Sequence, residues 1–231
     1  MTERINHTFT AEYKINPYPG LFIVIEGLDG SGNSTQIECL RNYFTERFKY
    51  QKGGIQVIKE PTYGPAGASI NWVLRRGLTI DDQTLQLMFI ADRSDDLLNE
   101  RTGIVKFLKT QGNVVLGDRY IASTPAFGNI AGLDKDWLLF IQSKFILPDY
   151  TFFLDVKPHI CMERINKRNN GIDRFEKLGH LEKAYQGYGY IMRKIPDLMI
   201  GIDGERPISD ITKDLISYIE KSPKLPGKLH F

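Results

Sequence analysis

The chain has 231 residues, which fit one compact domain and do not require two. Hydrophobic residues make up 42% of it, enough for a sizeable core, and no apolar run is long enough to cross a bilayer. Its 30 basic and 28 acidic residues leave a formal charge of +2, too small to indicate a general nucleic-acid binder. We therefore expect neither a nucleic-acid partner nor a membrane partner.

Cysteine and histidine are sparse. The two cysteines, Cys39 and Cys161, lack CxxC spacing, and the four histidines are scattered, so no dedicated zinc site is expected. We expect ordinary reduced thiols in a cytoplasmic protein, with a single bridge between the two as the alternative. The start MTERINHTFT has no signal-peptide core, which agrees with that location.

Short apolar runs alternate with helical patterns between two polar ends. Residues 1–20 are predicted to be a loose N-terminal arm, residues 21–221 the domain, and residues 222–231 a broken tail. Strands are predicted at Leu21–Ile25, Ile55–Ile58, Asn113–Leu116, Tyr150–Leu154 and Leu198–Ile200. Their near-continuous apolar character indicates parallel strands covered on both faces. The alternation of strands and helices predicts an α/β fold with right-handed crossovers.

The segments between the strands carry helical spacing. One helix face would carry Ile37, Leu40, Phe44 and Phe48, a second would carry Leu85, Met88, Asp92 and its neighbours further along, and the last helix shows Ile208, Ile211, Leu215, Tyr218 and Ile219. The stretch Trp137–Ile146 is apolar almost all round, so this predicted helix is either deeply buried or packed against a second subunit.

A glycine-rich loop follows the first predicted strand. The pattern G-x-x-x-x-G-K-[ST] is met at Gly27, Gly32 and Ser34 but not at Asn33. Backbone N–H groups of such a loop and the following helix N-terminus form a nest for nucleotide phosphates, and Ser34 would offer its hydroxyl to Mg²⁺. A turn without a ligand is the alternative. The predicted ATP-binding residues are Gly27, Leu28, Asp29, Gly30, Ser31, Gly32, Asn33, Ser34 and Thr35.

Asn33 stands where the pattern has lysine. The lysine of such loops reaches the β- and γ-phosphates as a compact cation, whereas asparagine is shorter and neutral. Losing one well-placed electrostatic contact typically lowers the rate about 100- to 1,000-fold. Two interpretations follow: another cation covers the role, or the protein binds nucleotide and transfers phosphate poorly.

A second group of polar residues follows the predicted strand NVVLG. Asp118 and Arg119 stand at its carboxyl end, where ligands of parallel sheets collect. Asp118 is a candidate metal residue that would hold Mg²⁺ through water, and Arg119 is a candidate to bridge donor and acceptor phosphates. A structural Asp–Arg pair is the alternative.

These motifs together resemble the thymidylate kinase family. The segments FIVIEGLDGSG-ST, LQLMFIADRSD, DRYIASTPAFG and RINKRNNGIDRFEK occur in the order and at the approximate spacing of that family, between Leu21 and Ile219. The resemblance implies a P-loop NTPase with a five-stranded parallel sheet flanked by helices, a flexible lid and a homodimer. It also implies phosphoryl transfer from ATP to dTMP with Mg²⁺. Asn33 departs from the family pattern.

The resemblance assigns an acceptor site by position. Phe89 would stack on the thymine ring, Arg93 would contact the base and monophosphate region, and Asp29 would accept from the sugar 3′-hydroxyl. Without the motif, Phe89 would be a core aromatic and Arg93 a solvated charge. The full set of predicted dTMP-binding residues is Asp29, Pro61, Phe89, Arg93, Arg119, Ser123, Thr124, Phe127 and Phe175.

A basic segment of about residues 164–176 is the predicted lid. Arg168 and Arg174, with Arg119 and Asp118, are the predicted catalytic residues, and the two lid arginines are candidates for part of the missing lysine's work. For Arg164 and Lys167, a solvated helix face is an equally good interpretation. A nucleotide-binding protein without catalysis, or a kinase for another monophosphate or a nucleoside, are the functional alternatives.

Overall fold

The computed structural model describes residues 11–49, 52–76, 79–168 and 175–225. The strands in these ranges are β1 Lys14–Ile15, β2 Leu21–Gly27, β3 Ile55–Lys59, β4 Val114–Asp118, β5 Ile146–Leu147, β6 Tyr150–Asp155 and β7 Ile200–Asp203. The α-helices are α1 Asn33–Phe48, α2 Pro65–Arg76, α3 Asp82–Leu98, α4 Ile104–Leu108, α5 Ser123–Gly128, α6 Lys135–Phe140, α7 Pro158–Lys167, α8 Leu178–Lys194 and α9 Ile208–Ile219.

The main sheet has five parallel strands in the order β3-β4-β2-β6-β7, which confirms the predicted α/β class and sheet. Strand β2 is central and buried along its whole length. Leu21 and Ile23 pack with residues of α1 and α9, while Phe22 and Val24 pack with residues of α3 and α4. Burying each such side chain contributes about 1.5–3 kcal/mol, so both helical layers stabilise the same strand.

The strand pairing determines where polar groups meet. In parallel strands the carboxyl ends share one edge of the sheet, and β4 is the neighbour of both β2 and β3. Lys59 at the end of β3 is paired in register with Asp118 at the end of β4. The glycine-rich loop leaves β2 at the same edge and enters α1. This edge is therefore where a ligand site is built.

Three predicted elements differ from the observed ones. The last strand is Ile200–Asp203 rather than Leu198–Ile200, since Leu198 ends a 3₁₀ turn. The apolar run 137–146 is helical only to Phe140 and then turns into β5, and the interior alternative holds for Leu138 and Leu139. Ile208 does not share the buried face of α9; it is 56% exposed, because it is the first residue of that helix.

The described parts of both chain ends are attached to the domain. Strand β1 pairs with β5, and the Asn16 side chain donates to Asp149 at 2.7 Å. Lys224 donates to Asp149 at 2.6 Å, and Leu225 is buried. Asn16 and Gly20 are buried, whereas most of residues 11–20 are exposed, and the loose arm stays a prediction. Both cysteines are free, so the bridge is absent. Across the described ranges, none of the helices combines the length and the apolar character needed to span a membrane.

Candidate active site

The loop between β2 and α1 has the backbone that its glycines predict. Gly30 and Gly32 have φ values of 82° and 106°, a region that residues with a Cβ rarely adopt. A Cβ on Gly30 would also lie 2.6 Å from the carbonyl oxygen of Cys161. Helix α1 begins after Gly32 without a side-chain cap, so its first N–H groups and its positive dipole end face the loop. The loop suits an anion such as a phosphate group.

The side chain of Asn33 is buried against its own loop. Its side chain is almost fully buried, and its Oδ1 accepts a hydrogen bond of 2.8 Å from Ser31 Oγ. Its Nδ2 is buried and makes no hydrogen bond within the described part of the chain. A buried donor without a partner costs free energy, and Asn33 lines the same cavity as the loop. The residue offers one neutral donor and no charge.

Three polar side chains meet beside the loop. Ser34 Oγ donates to Asp118 Oδ2 at 2.7 Å, and Lys59 Nζ lies 2.9 Å from Ser34 Oγ and 3.0 Å from Asp118 Oδ2. The side chain of Asp118 is 6% exposed and that of Lys59 is 64% exposed. The pairing of β3 with β4 brings Lys59 and Asp118 together. Lys59 was missed in the sequence because a lysine at the end of an edge strand resembles a solvated charge.

The serine and the aspartate fit Mg²⁺. Both offer the hard oxygen ligands that this ion prefers, and the ion usually keeps several waters and binds substrate phosphates. Within the described ranges, no group of three or more His, Cys, Asp or Glu side chains would hold a metal ion. The protein would therefore supply only a few ligands and leave the remainder to phosphates and water.

Arg119 lies between the loop and the rest of the cavity. Its Nη1 donates to the Gly27 carbonyl oxygen at 2.7 Å, its Nη2 pairs with Asp29 Oδ1 at 2.7 Å, and its guanidinium lies 4.8 Å from the ring centroid of Phe127. Its φ of 78° is a strained backbone for a residue other than glycine, a feature that clusters at functional sites. Burial alone would lower the pKa of Arg119, but Asp29 and other neighbouring negative charges raise it. The residue is a fixed cation.

Arg93 is buried rather than solvated. It is 1% exposed, its Nε donates to Glu60 Oε1 at 2.7 Å, and its Nη1 donates to Thr124 Oγ1 at 3.0 Å. Further hydrogen bonds join it to Glu60 Oε2 and Gln142. Burial acts to lower the pKa of Arg93, and the charge of Glu60 outweighs this and raises it. Arg93 also lines the cavity, so its charge faces the predicted acceptor region.

The remaining predicted acceptor residues border the same cavity, whose volume is about 710 Å³. Phe127 and Phe175 meet edge to face, with ring centroids 5.4 Å apart. Ser123 Oγ donates to the buried carboxylate of Glu26 at 2.6 Å. The structure thus brings together Pro61, Phe89, Arg93, Arg119, Ser123, Thr124, Phe127 and Phe175 around one space.

The basic residues predicted for the lid have different surroundings. Arg164 belongs to α7 and donates to the carbonyl oxygens of Ser31 and Gly204, both at 3.1 Å, so it braces the loop. Arg168 lines the cavity and pairs with Glu176 at 2.6 Å. Arg174 lies outside the described residues.

Sequence reasoning also missed some cavity-lining residues: Asn71, Arg75, Gln86 and Arg206. Asn71 and Arg75 belong to α2 and Gln86 to α3, two helices that pack against each other. Arg206 follows β7, at the loop end. The helical spacing of Gln86 and Phe89, one turn apart on α3, is the signal that would have found Gln86.

Fold and site together define a P-loop nucleotide-binding domain of the α/β class. A family model described as Thymidylate kinase matches residues 25–215. The thymidylate kinase of Leptospira borgpetersenii is 32% identical over 200 residues, covering 85% of this chain and 91% of the relative. That of Leptospira interrogans is 32% identical over 198 residues, covering 85% and 92%. A solved thymidylate kinase from Candida albicans superposes with a TM-score of 0.68 at 29% identity, covering 89% of this chain and 93% of that one. The chain belongs to the thymidylate kinase family.

Proposed function

We propose that this protein transfers the γ-phosphoryl group of ATP to dTMP, giving ADP and dTDP. The observation that carries the proposal is a single cavity with two chemically different parts. One part is lined by the phosphate loop and another by Phe89, Phe127 and Ser123. Arg119 contacts both parts, through Gly27 and Asp29 in the loop and through the ring of Phe127. Such an arrangement suits a donor triphosphate and an aromatic acceptor whose phosphates meet at Arg119. Family membership supports the same reaction.

Residues in different parts of the cavity would have different roles. The loop from Gly27 to Thr35 would hold the ATP phosphates. Phe89 would stack on the base, a contact worth about 1–3 kcal/mol in nucleic-acid sites. Arg119 would hold the shared phosphates in line and offset their charge, and Arg168 and Arg174 would add to this from the lid. Asp29 is paired with Arg119, so its proposed contact with the sugar hydroxyl uses its remaining oxygen.

Ser34 and Asp118 would hold Mg²⁺. The ion would supply positive charge that offsets the charge of the transferring phosphates. The side chains themselves position the donor: their oxygens lie at the edge of the sheet where the loop begins, and Asp118 is held there by β4. Because ATP and Mg²⁺ are cytoplasmic reactants, we expect the protein to act in the cytoplasm.

Asn33 makes this an atypical phosphate loop. We propose that it lowers turnover without removing nucleotide binding, because the backbone nest and helix dipole do not depend on the side chain at position 33. The homodimer that the resemblance implies is also proposed. Its support is no longer the 137–146 segment, whose apolar side chains are buried or half-buried, but the exposed Trp72, Leu87 and Leu98 of α2 and α3.

The test is ADP release by the purified chain with ATP, Mg²⁺ and dTMP, run beside Asn33→Lys. We expect measurable turnover that requires dTMP, and a further increase with the lysine that stays below the about 100- to 1,000-fold value of a whole electrostatic contact, because the cavity already holds other cations. A series of dTMP, dUMP, dCMP, dGMP and thymidine identifies the acceptor, and dTMP should give the highest kcat/KM.

Each functional alternative has its own outcome in this assay. Calorimetric binding of both nucleotides without turnover, restored by Asn33→Lys, would identify a binding protein with a disabled site. Faster turnover of another monophosphate would identify a different acceptor. Failure of calorimetry to detect either ATP or dTMP would remove the proposal.

A further inference from the structure

The ammonium group of Lys59 lies within contact of both Ser34 and Asp118. Its Nζ is within 3.0 Å of an oxygen of each residue, and those two oxygens are themselves 2.7 Å apart. An ammonium group that contacts the same two oxygens proposed for Mg²⁺ neutralises Asp118 while no metal is bound. This arrangement is specific to the sheet register, since β3 and β4 pair at Lys59 and Asp118.

The position of Lys59 also bears on Asn33. Ser34 directly follows Asn33, so the ammonium group of Lys59 already contacts the loop that has no lysine of its own. A lysine side chain is a compact cation on a flexible four-carbon stem with three rotatable donors. Ser34 and Asp118 occupy two of these donors, which leaves a third. The side chain lines the cavity and is 64% exposed, so little protein around it restricts a change of rotamer.

Other cations of the cavity are held by partners that the reaction leaves in place. Arg119 is fixed by Asp29 and the Gly27 carbonyl oxygen. Arg164 braces backbone carbonyls of the loop. Lys59 differs because its partners are the two residues that a nucleotide-bound metal would claim. A metal held by these two residues would leave the ammonium group of Lys59 free to face the phosphates.

We infer that Lys59 supplies the phosphate-facing positive charge that Asn33 lacks, and that Ser34 and Asp118 hold it in place until nucleotide binds. The inference rests on the proposed function. Lys59 acts there by contact with the transferred phosphoryl oxygens and takes no part in a covalent step. It neutralises charge that develops during transfer, as a lysine at position 33 does in the usual pattern.

A double-mutant cycle tests this coupling. In the parent, Lys59→Gln should lower kcat/KM for ATP about 100-fold, and Lys59→Arg should recover part of the loss. In the Asn33→Lys background the same glutamine substitution should cost less than about tenfold, because the loop then has its own cation. Equal losses in the two backgrounds would overturn the inference, since Lys59 would then act independently of position 33.

Binding provides a readout that does not depend on turnover. Calorimetry should show weaker Mg²⁺·ATP binding for Lys59→Gln than for the parent, and tighter binding of Mg²⁺ alone, because Asp118 is no longer neutralised. Lys106→Gln, an exposed lysine of α4 outside the cavity, is the matched control and should match the parent in binding and in thermal unfolding.

The inference and the proposed function fail in different ways. If the parent binds and turns over both nucleotides while Lys59→Gln leaves ATP affinity and kcat/KM unchanged, the inference alone is overturned. If no variant binds ATP, including Asn33→Lys, both are overturned.

Discussion

Arg93 keeps a full positive charge in the interior because Glu60 lies against it. The two side chains are 1% and 3% exposed, and the guanidinium is further held by Thr124. Taking both charges out of water is costly, and the pair is tolerated only because its geometry and added hydrogen bonds are good. Arg93 lines the cavity, so this costly arrangement places a fixed cation at the wall of the predicted acceptor site.

We expect Glu60→Gln to lower the free energy of unfolding by about 3–5 kcal/mol, because it leaves the Arg93 charge buried without its counter-ion. Combining Glu60→Leu with Arg93→Met should recover part of this loss, since an apolar pair of similar volume removes both charges. Urea denaturation measures the stability of each variant.

The affinity of the same variants for dTMP distinguishes a binding role of Arg93 from a purely structural one. The Glu60→Leu/Arg93→Met protein should stay folded yet bind dTMP more weakly than the parent, because the cavity has lost its cation. Normal dTMP affinity in this variant would show that Arg93 only supports the fold. Equal instability of the single and double variants would show that the charge pair is not the cause.

Helix α3 carries two of the predicted acceptor residues and also an acidic cluster. Phe89 and Arg93 belong to it, and so do Asp92, Asp95 and Asp96. Asp92 accepts two hydrogen bonds from Thr62, one from its backbone N–H at 2.8 Å and one from its hydroxyl at 2.6 Å. Burial, together with the charges of Asp92 and Asp95, raises the pKa of Asp96 to about 6. The helix therefore holds one carboxylate whose ionised form is disfavoured.

This shift makes a pH-dependent contribution to stability. The pKa of Asp96 is higher in the folded chain than its ordinary value of 3.8, so the folded state binds the proton more tightly. Its stabilising contribution is present at low pH and is lost as the pH rises through about 6. Asp96→Asn should therefore be more stable than the parent at pH 7.5 by about 1 kcal/mol, after allowing for its partial exposure.

Unfolding curves of both proteins at several pH values between about 4.5 and 7.5 check this. Carboxylates that do not interact with Asp96 contribute equally in the parent and the variant, so their effect cancels in the difference between the two. That difference should shrink towards zero as the pH falls. A constant difference over the whole range would show that ionisation of Asp96 is not its source.

Over the whole molecule, elements with a local sequence pattern were predicted, and an element that depends on pairing with a distant segment was not. Four of the five predicted strands overlap the observed ones to within two residues, because each buried strand is a short apolar run bounded by turns. The stretch 137–146 failed as one helix because β5 is stabilised by β1, which lies more than 130 residues earlier. Apolar character alone does not reveal that pairing.

In the site, too, contiguous motifs were predicted and a contact between distant segments was missed. The loop residues and the acceptor residues were predicted because their motifs are contiguous in the chain. Lys59 was missed because its contact with Asp118, 59 positions away, depends on the pairing of β3 with β4. A strand register of this kind is fixed by tertiary packing and has no local signature.

Helices α2 and α3 carry exposed apolar residues that a second copy of the chain could cover. Leu87 and Leu98 are 41% and 61% exposed and stand eleven residues apart, about three turns of one helix face. Trp72 of the adjacent α2 is 57% exposed. Covering such side chains is worth about 1.5–3 kcal/mol each, and a second copy would cover the same patch on both chains, as two-fold symmetry requires.

We therefore expect the parent to be a dimer by size-exclusion chromatography with light scattering, and Leu87→Lys/Leu98→Lys to shift it to monomer. Losing two such contacts and adding charge at the interface should weaken association at least about 100-fold. Ile208→Lys, which changes an exposed apolar residue of α9 instead, should leave the dimer intact. A parent that is monomeric at every concentration would contradict the dimer itself. Dissociation by Ile208→Lys but not by the α3 pair would place the interface elsewhere.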